Sequence, residues 1–282
     1  MSRSGFYKYL NRIKVPNDKE INDRKDFELI LSAYNHRGYK KGSRTIFMLL
    51  LRNGNSMSRN KIRRLMKKYG LFCPIRKPNP YKRMAKNIDD NMVVPNHVDR
   101  NFKDNGPRYV ILTDITYIFY GNCKKCYISV MKDACTNEVL SFVISESLAE
   151  DFVLETVKML IKLHKNEIPQ NALVHSDQGV HYKAYSYKEL LINHELRQSM
   201  SRKANCWDNA PQESFFGHMK DEIDLSNCTM FEQIKKIITD YMDYYNNDRP
   251  QWNLAYLTPI EYYHYLRTGQ YPIELKHLPN KD

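Results

Sequence analysis

Three acidic residues stand in settings that could do chemistry. They are Asp114 in Leu112-Thr113-Asp114-Ile115-Thr116-Tyr117, Asp177 in His175-Ser176-Asp177-Gln178-Gly179, and Glu213 in Asp208-Asn209-Ala210-Pro211-Gln212-Glu213-Ser214-Phe215-Phe216. Asp177 and Glu213 are separated by 35 residues, and Lys220 follows Glu213 by seven. Held on two strands and a helix, such carboxylates can carry a pair of divalent cations against a phosphodiester. Two metals about 3.5–4 Å apart activate the attacking oxygen and stabilise the leaving one in an in-line displacement. Hard oxygen ligands favour Mg²⁺ or Mn²⁺ over zinc, and the chemistry needs no histidine or cysteine.

Spacing alone decides little, because 32 of the 282 residues are Asp or Glu. The settings carry more. Asp114 interrupts a strand in which Val110, Leu112 and Ile118 share its side, where a bare carboxylate is costly unless paired or metal-bound. Asp177 follows a short buried strand at a Gly-containing turn, and strand ends in open α/β sheets gather ligands. Glu213 opens a helix whose start is marked by Asp208, Asn209 and Pro211. It shares a helical face with Phe216, Gly217 and Lys220, and Lys220 lies two turns on, about 10.5 Å along the axis. Each carboxylate also has a plainer reading: an ion pair for Asp114, an Asx-turn for Asp177, a complement to the helix dipole for Glu213.

The elements that must position these groups read as follows. A meander of three antiparallel strands fits Tyr109–Tyr120, Tyr127–Met131 and Glu138–Ile144, with a turn at Gly121-Asn122. A helix over 149–165, a strand Ala172–His175, a helix Tyr185–Asn193 and a strand Glu195–Met200 come next. Helices over Pro211–Ile223 and Phe231–Tyr245 follow. This order specifies a mixed α/β sheet with helices on both faces. Ahead of it, helices are expected over 26–37, over Ser43–Arg52 with Ser43 able to cap, and from Ser58 to Tyr69. The last buries Ile62, Leu65, Met66 and Tyr69 and spreads Arg59, Lys61, Arg63, Arg64, Lys67 and Lys68 over its remaining surface. Short helices ending in a basic one predict a helix-turn-helix-like DNA reader, with Arg59, Arg63, Arg64 and Lys67 as candidate contacts; a solvated helical bundle is the alternative.

Charge supports this division. Residues 1–100 hold 24 Lys and Arg against 8 Asp and Glu, and the other 182 residues hold 20 against 24. A basic first third is an electrostatic footprint for nucleic acid. Residues 73–104, with Pro74, Pro78, Pro80 and Pro95 among basic residues, read as an extended linker. The six cysteines are too few and irregular for a disulfide scaffold. Cys123-Lys124-Lys125-Cys126 is a single CxxC read as part of a hairpin turn, without the second pair a structural zinc needs. No signal-peptide or membrane-spanning run is present, so a cytoplasmic, nucleoid-associated bacterial protein is expected, with no membrane partner.

These words resemble those of the retroviral-integrase-like transposases, specifically the second-reading-frame (OrfB) product of the insertion-sequence-three family. Thr113-Asp114-Ile115-Thr116-Tyr117 and His175-Ser176-Asp177-Gln178-Gly179 look like its first two motifs. Ser199 through Phe216 matches its longest signature, and the likeness runs on through Tyr244-Tyr245-Asn246 to Leu257-Thr258-Pro259 and back to Arg63-Arg64-Leu65-Met66. The resemblance implies a ribonuclease-H-like core in which Asp114, Asp177 and Glu213 are the catalytic and metal-binding triad for two Mg²⁺ or Mn²⁺ ions. Lys220 would contact DNA, as would Arg202 and Lys203 in the loop before the Glu213 helix. Members nick an element end and use the freed 3′-hydroxyl as nucleophile, with no covalent protein–DNA intermediate. Double-stranded DNA (element ends and target), a homo-oligomer, and an upstream-frame (OrfA) protein or frameshift fusion are the implied partners. Arg249-Pro250-Gln251-Trp252-Asn253 stands where many relatives have Arg-His-Ser, a subgroup difference.

The expected organisation is a lead (1–25), a helix-turn-helix-like DNA-binding domain (26–72), a basic linker (73–104), an integrase-like catalytic core (105–265) and a tail (266–282). Two other readings compete with a transposase. One is a catalytically idle DNA-binding descendant; the other is a nuclease on the same fold.

Overall fold

The computed structural model describes residues 3–4, 6–7, 18–73, 94–98, 104–121, 124–201 and 210–273. Most of the basic linker, Cys123, and the candidate contacts Arg202 and Lys203 lie outside the described residues. The chain divides into two compact units, 1–74 with 273–282, and 75–272. Among the described residues no helix is long and apolar enough to cross a membrane.

The N-terminal unit contains α1 (Asp18–Asn35), α2 (Ser43–Arg52) and α3 (Arg59–Lys68). The first helix begins earlier than its apolar spacing predicts, because residues 18–26 are almost all polar. Asp18 and Glu20 suit its first turn by facing the positive end of the dipole. Ser43 is the first residue of α2 and not its cap; extended Gly42 takes that position with no side-chain bond. Ser58 does cap α3, accepting from the Lys61 amide at 3.3 Å. Ile30, Ile46, Phe47, Leu50, Ile62 and Leu65 are buried between the helices.

One edge of this small core is polar. Asp23 on α1 is nearly buried and accepts both arms of Arg64, at 2.8 and 2.6 Å, and Lys68 at 2.9 Å. Lys68 also pairs with Glu20 at 2.6 Å, and Lys61 with Asp26 at 2.5 Å. Arg64, expected on DNA, is thus engaged in joining α3 to α1. Arg63 and Lys67 are exposed and make no ion pair among the described residues, and Arg59 is half-buried.

The larger unit is built on a five-stranded sheet of order β3-β2-β1-β4-β5, from β1 (Val110–Tyr120), β2 (Lys124–Asp133), β3 (Val139–Ser145), β4 (Leu173–Ser176) and β5 (Arg197–Met200). The first three strands are antiparallel, while β4 runs parallel to β1 and β5 parallel to β4. This is the mixed ribonuclease-H-like sheet flanked by helices. Strand β2 is longer than its apolar run, so Cys126 lies inside it. That thiol is fully buried, and burial pushes it up to about 11.

The connecting and flanking helices are α4 (Glu150–His164), α5 (Val180–Lys183), α6 (Tyr185–Asn193), α7 (Ala210–Glu222), α8 (Phe231–Asn247) and α9 (Pro259–Thr268). On one face of the sheet Phe152, Val153, Val157 and Leu160 of α4 pack with Ile111, Met131, Leu140 and Val174. The sequence reading did not anticipate α5 or α9. The start of α9 is nonetheless well marked: Thr258 and Glu261 form a capping box and Pro259 follows the cap.

Two long-range contacts seat α8. Asn246 exchanges a pair of hydrogen bonds with the Val139 backbone, at 2.9 and 2.8 Å. Arg249, just beyond α8, grips Glu222 at the end of α7 through Nε and Nη2, the latter at 2.6 Å, and Tyr241 donates to the same carboxylate at 3.2 Å. Both partners of this pair are nearly buried, so removing one would strand the other's charge.

The Asp23 seam has a pH signature. Hydrogen bonds from Arg64 and then Lys68 hold the Asp23 carboxyl well below the usual carboxylate range. A depressed carboxyl stabilises the fold above its unfolded pKa, near 4, and that contribution is lost as pH falls below it. Asp23→Asn is expected to speed amide exchange in α1 and α3 at pH 7, and to flatten its dependence on pH below 4. Exchange measured on the full chain at pH 3 and pH 7 checks this.

Candidate active site

The parallel pairing of β1 and β4 sets two of the carboxylates side by side. Val110, Ile111 and Leu112 pair with Leu173, Val174 and His175. Asp114 and Asp177 each lie two residues beyond the last of those rungs, Asp177 just past the end of β4 and Asp114 within β1 at the same level. Strands in a sheet are about 4.8 Å apart, so the two groups share one small region of the sheet's end. Both are half-buried.

Local hydrogen bonds aim each carboxylate. Asp114 Oδ1 accepts from the Ile115 amide at 2.8 Å, and Asp177 Oδ1 from the Gly179 amide at 2.8 Å. The second is the Asx-turn considered from sequence, and the turn itself orients the side chain. Gly179 leaves room for it: a Cβ there would lie 2.9 Å from Asp177 Oδ1. The surrounding loop is braced from β5 and its exit. Gln178 donates to the Ser201 carbonyl at 3.0 Å, and His175 Nδ1 meets Ser199 Oγ at 2.9 Å.

Tyr182, in the short helix after that turn, is fully buried beside both carboxylates. Burial, and then the charge of Asp114 with a smaller part from Asp177, raises its hydroxyl well above the usual phenol range. It therefore stays a neutral neighbour of the pair. The sequence reading passed over Tyr182, although an aromatic three residues after a Gly-containing turn was a signal for a helix folding back on the strand end.

Glu213 comes to the same end of the sheet by another route. Gln212, fully buried beside it in sequence, reaches the Val130 carbonyl at 3.5 Å, and Val130 is the β2 partner of Asp114. Lys132, the β2 partner of Leu112, donates to the Pro211 carbonyl at 2.9 Å. These bonds tie the first turn of α7 to the strand next to Asp114, while Glu213 itself is exposed. Among the described residues no three His, Cys, Asp or Glu side chains meet closely enough to hold a metal. The β1–β4 register thus places Asp114 beside Asp177, and Glu213 rides on a helix tethered to the strand on the other side of Asp114. Lys220, two turns along α7, lies with its ammonium 5.3 Å from the Tyr117 ring centre.

Lys132 is the least expected member. It is fully buried, with Phe215 beneath its ammonium at 5.6 Å. Burial pulls its pKa down to about 7. The signal in sequence was a lysine ending an apolar strand, Ile128-Ser129-Val130-Met131-Lys132, on the inward-facing parity.

Comparison with known proteins places the chain in a family. The Integrase core domain family matches residues 104–206, a second Integrase core domain family matches 213–265, and the HTH-like domain family matches 20–79. The InsK protein of insertion sequence element IS150 from Escherichia coli K12 is 34% identical over 265 residues, covering 92% of this chain and 89% of its own. The chain belongs to the IS3 family of insertion-sequence transposases. Transposase InsF of insertion sequence IS3A from the same organism is 26% identical, over 79% of this chain and 75% of its own. Among solved structures, the catalytic core domain of HTLV-2 integrase in complex with magnesium aligns with a TM-score of 0.45 and 16% identity, covering 56% of this chain and 97% of that one. As an IS3-family transposase, the protein is a DDE-type polynucleotidyl transferase.

Two substitutions probe the arrangement. Gly179→Ala keeps an allowed backbone but drives Asp177 off the Gly179 amide; DNA joining is expected to fall about a hundred-fold, as for an ångström-scale misplacement, with an unchanged melting temperature. Lys132 releases its proton on folding, so its own contribution to wild-type stability should climb as pH rises from about 7 toward its unfolded value near 10.5. Lys132→Met should abolish that climb and be relatively most stabilised at pH 7 and below, as read from denaturant midpoints across pH.

Proposed function

We propose that this transposase cuts and joins DNA at the ends of its insertion sequence, with Asp114, Asp177 and Glu213 as the metal-binding carboxylates and a DNA 3′-hydroxyl as nucleophile. The observation that carries the reading is the β1–β4 register, which leaves Asp114 and Asp177 adjacent where β4 ends alongside β1, in a chain of this family. Two adjacent carboxylates repel each other, and a cation between them offsets that cost.

The donor set fits Mg²⁺ or Mn²⁺. It consists of carboxylate oxygens, with the hydroxyl of Tyr182 kept neutral behind them, and each aspartate spends one oxygen on a backbone amide. Two such ions, when bound, supply Lewis acidity at the attacking and leaving oxygens. The chain's own contribution is position. Gly179 and Ile115 amides aim the aspartates, Gln212 and Lys132 fix the helix carrying Glu213, and Lys220 offers a phosphate a positive charge two turns away.

Duplex DNA at the element ends is the substrate, and the target is duplex DNA as well. The helical N-terminal unit reads or grips it through exposed Arg63 and Lys67, with Arg59 beside them and Arg64 serving the α1–α3 seam. Arg202 and Lys203, which precede α7 in sequence, are further DNA contacts in this reading. The working form is an oligomer, aided by an upstream-frame protein or a fusion to it.

The test is a strand-transfer assay with labelled DNA carrying the neighbouring genomic ends and Mg²⁺. Wild type is expected to join ends to target, and Glu213→Gln to lower joining by at least about a hundred-fold while still binding the DNA. If wild type binds but never joins, even with the upstream-frame product added, the protein is an idle descendant. Preferential cleavage of an RNA–DNA hybrid would instead make it a nuclease.

A further inference from the structure

Two large aromatic side chains, Tyr117 and Phe119, project into solvent from the outer half of β1. They are 51% and 53% exposed. Their rings meet edge to face, with centres 5.4 Å apart. Two lysines lie over them. Lys125 on β2 sits 5.5 Å from the Tyr117 ring centre and 5.4 Å from that of Phe119, and Lys220 on α7 sits 5.3 Å from Tyr117.

Cross-strand packing accounts for part of this, since Phe119 and Lys125 are direct partners in the ladder. It does not account for Lys220, which arrives from a helix, nor for leaving both rings half open. Such a patch could receive a protein or a nucleic acid. Lysine is depleted from protein interfaces, where burying an ammonium is costly. Exposed rings bordered by ammonium groups are what a single strand of nucleic acid uses: bases stack on the rings and phosphates meet the charges.

We infer that Tyr117 and Phe119, flanked by Lys125 and Lys220, form a stacking platform for unpaired bases of DNA. The inference rests on the proposed function for its substrate class, and adds a contact to bases next to the carboxylates. The distances suit that place. Tyr117 is three residues beyond Asp114, about 10 Å along a strand, and Lys220 is about 10.5 Å from Glu213 along its helix. Both lengths span about three steps of a DNA strand. Tyr117 and Asp114 point to opposite faces of the pleat, but the pairing of β1 with β4 stops at Leu112, and beyond it no strand among the described residues pairs with that edge of β1. A DNA strand lying along that edge would touch both faces. The platform would hold bases freed from the duplex when an end is opened for cutting.

The experiment measures binding by the full chain, without divalent metal, of one mixed-sequence oligonucleotide containing 2-aminopurine. The probe is presented single-stranded and as a blunt duplex. Wild type is expected to bind the single strand and alter its 2-aminopurine fluorescence. Tyr117→Leu with Phe119→Leu keeps apolar bulk but removes both π faces. It should weaken single-strand binding about ten-fold or more, as loss of a base–aromatic stack does, abolish the fluorescence change, and leave duplex binding within two-fold or so. Tyr117→Trp with Phe119→Trp should retain both signals. Lys125→Gln should reduce the salt dependence of single-strand binding by about one ion.

The platform is overturned if the leucine pair binds the single strand as wild type does, if both probes weaken equally, or if its loss instead changes the oligomeric state, which would make the patch a protein interface. Because the assay uses neither metal nor catalysis, an inactive carboxylate triad would leave its outcome intact. Joining by wild type with an unaffected leucine pair would likewise uphold the proposed function while removing the platform.

Discussion

Everything at the catalytic end of this protein depends on three rungs of parallel pairing between β1 and β4. Parallel pairing cannot be made by a tight turn; it needs a crossover, here a path through β2, β3 and α4. The rungs are Val110 with Leu173, Ile111 with Val174, and Leu112 with His175. A slip of one residue would turn either aspartate to the other face of the sheet. The register is held by burial, because Ile111 and Val174 are wholly enclosed on one face while Leu112 and Leu173 pack with Val98 and Ala134 on the other. An enclosed apolar strand pair thus makes possible what neither aspartate could arrange alone, two like charges side by side.

The third carboxylate is managed differently. Glu213 rides on α7, which is secured at both ends by buried polar contacts. At the start, Lys132 and Gln212 bind the helix to β2; at the finish, Glu222 is gripped by Arg249. Such contacts are costly to assemble, since each group gives up water, and they specify one geometry strictly because a misplaced partner leaves a stranded polar group. A firm helix with an exposed functional side chain follows. In the proposed site the pair of aspartates would form the floor, and Glu213 would join it from a tethered element.

The N-terminal unit shows how basic residues divide between structure and function. Its charge looks uniform in sequence, yet Asp23, Glu20 and Asp26 take up Arg64, Lys68 and Lys61 along one side of α3. What remains outward, Arg63 and Lys67, is a narrower surface than the composition implies. Exposed charge attracts phosphate, whereas paired charge defines how the helices meet.

Sequence by itself determined the chemical words, the strand and helix types around them, and the basic first third; these rest on local preferences, on apolar periodicity and on motif identity. The bounds of α2 and α6 agree with it to the residue; α2 is amphipathic and is followed by Gly54. It misses the polar start of α1 and the full length of β2, which lack a local signature, and α9 in spite of the capping box at its start. It could not give the β1–β4 register, the service of Lys132 and Gln212 under α7, Tyr182 behind the aspartates, or the commitment of Arg64 to Asp23. Those are pairings between residues far apart in the chain. Only tertiary structure decided them, because burial selects the partner of a polar group by what the whole fold brings beside it.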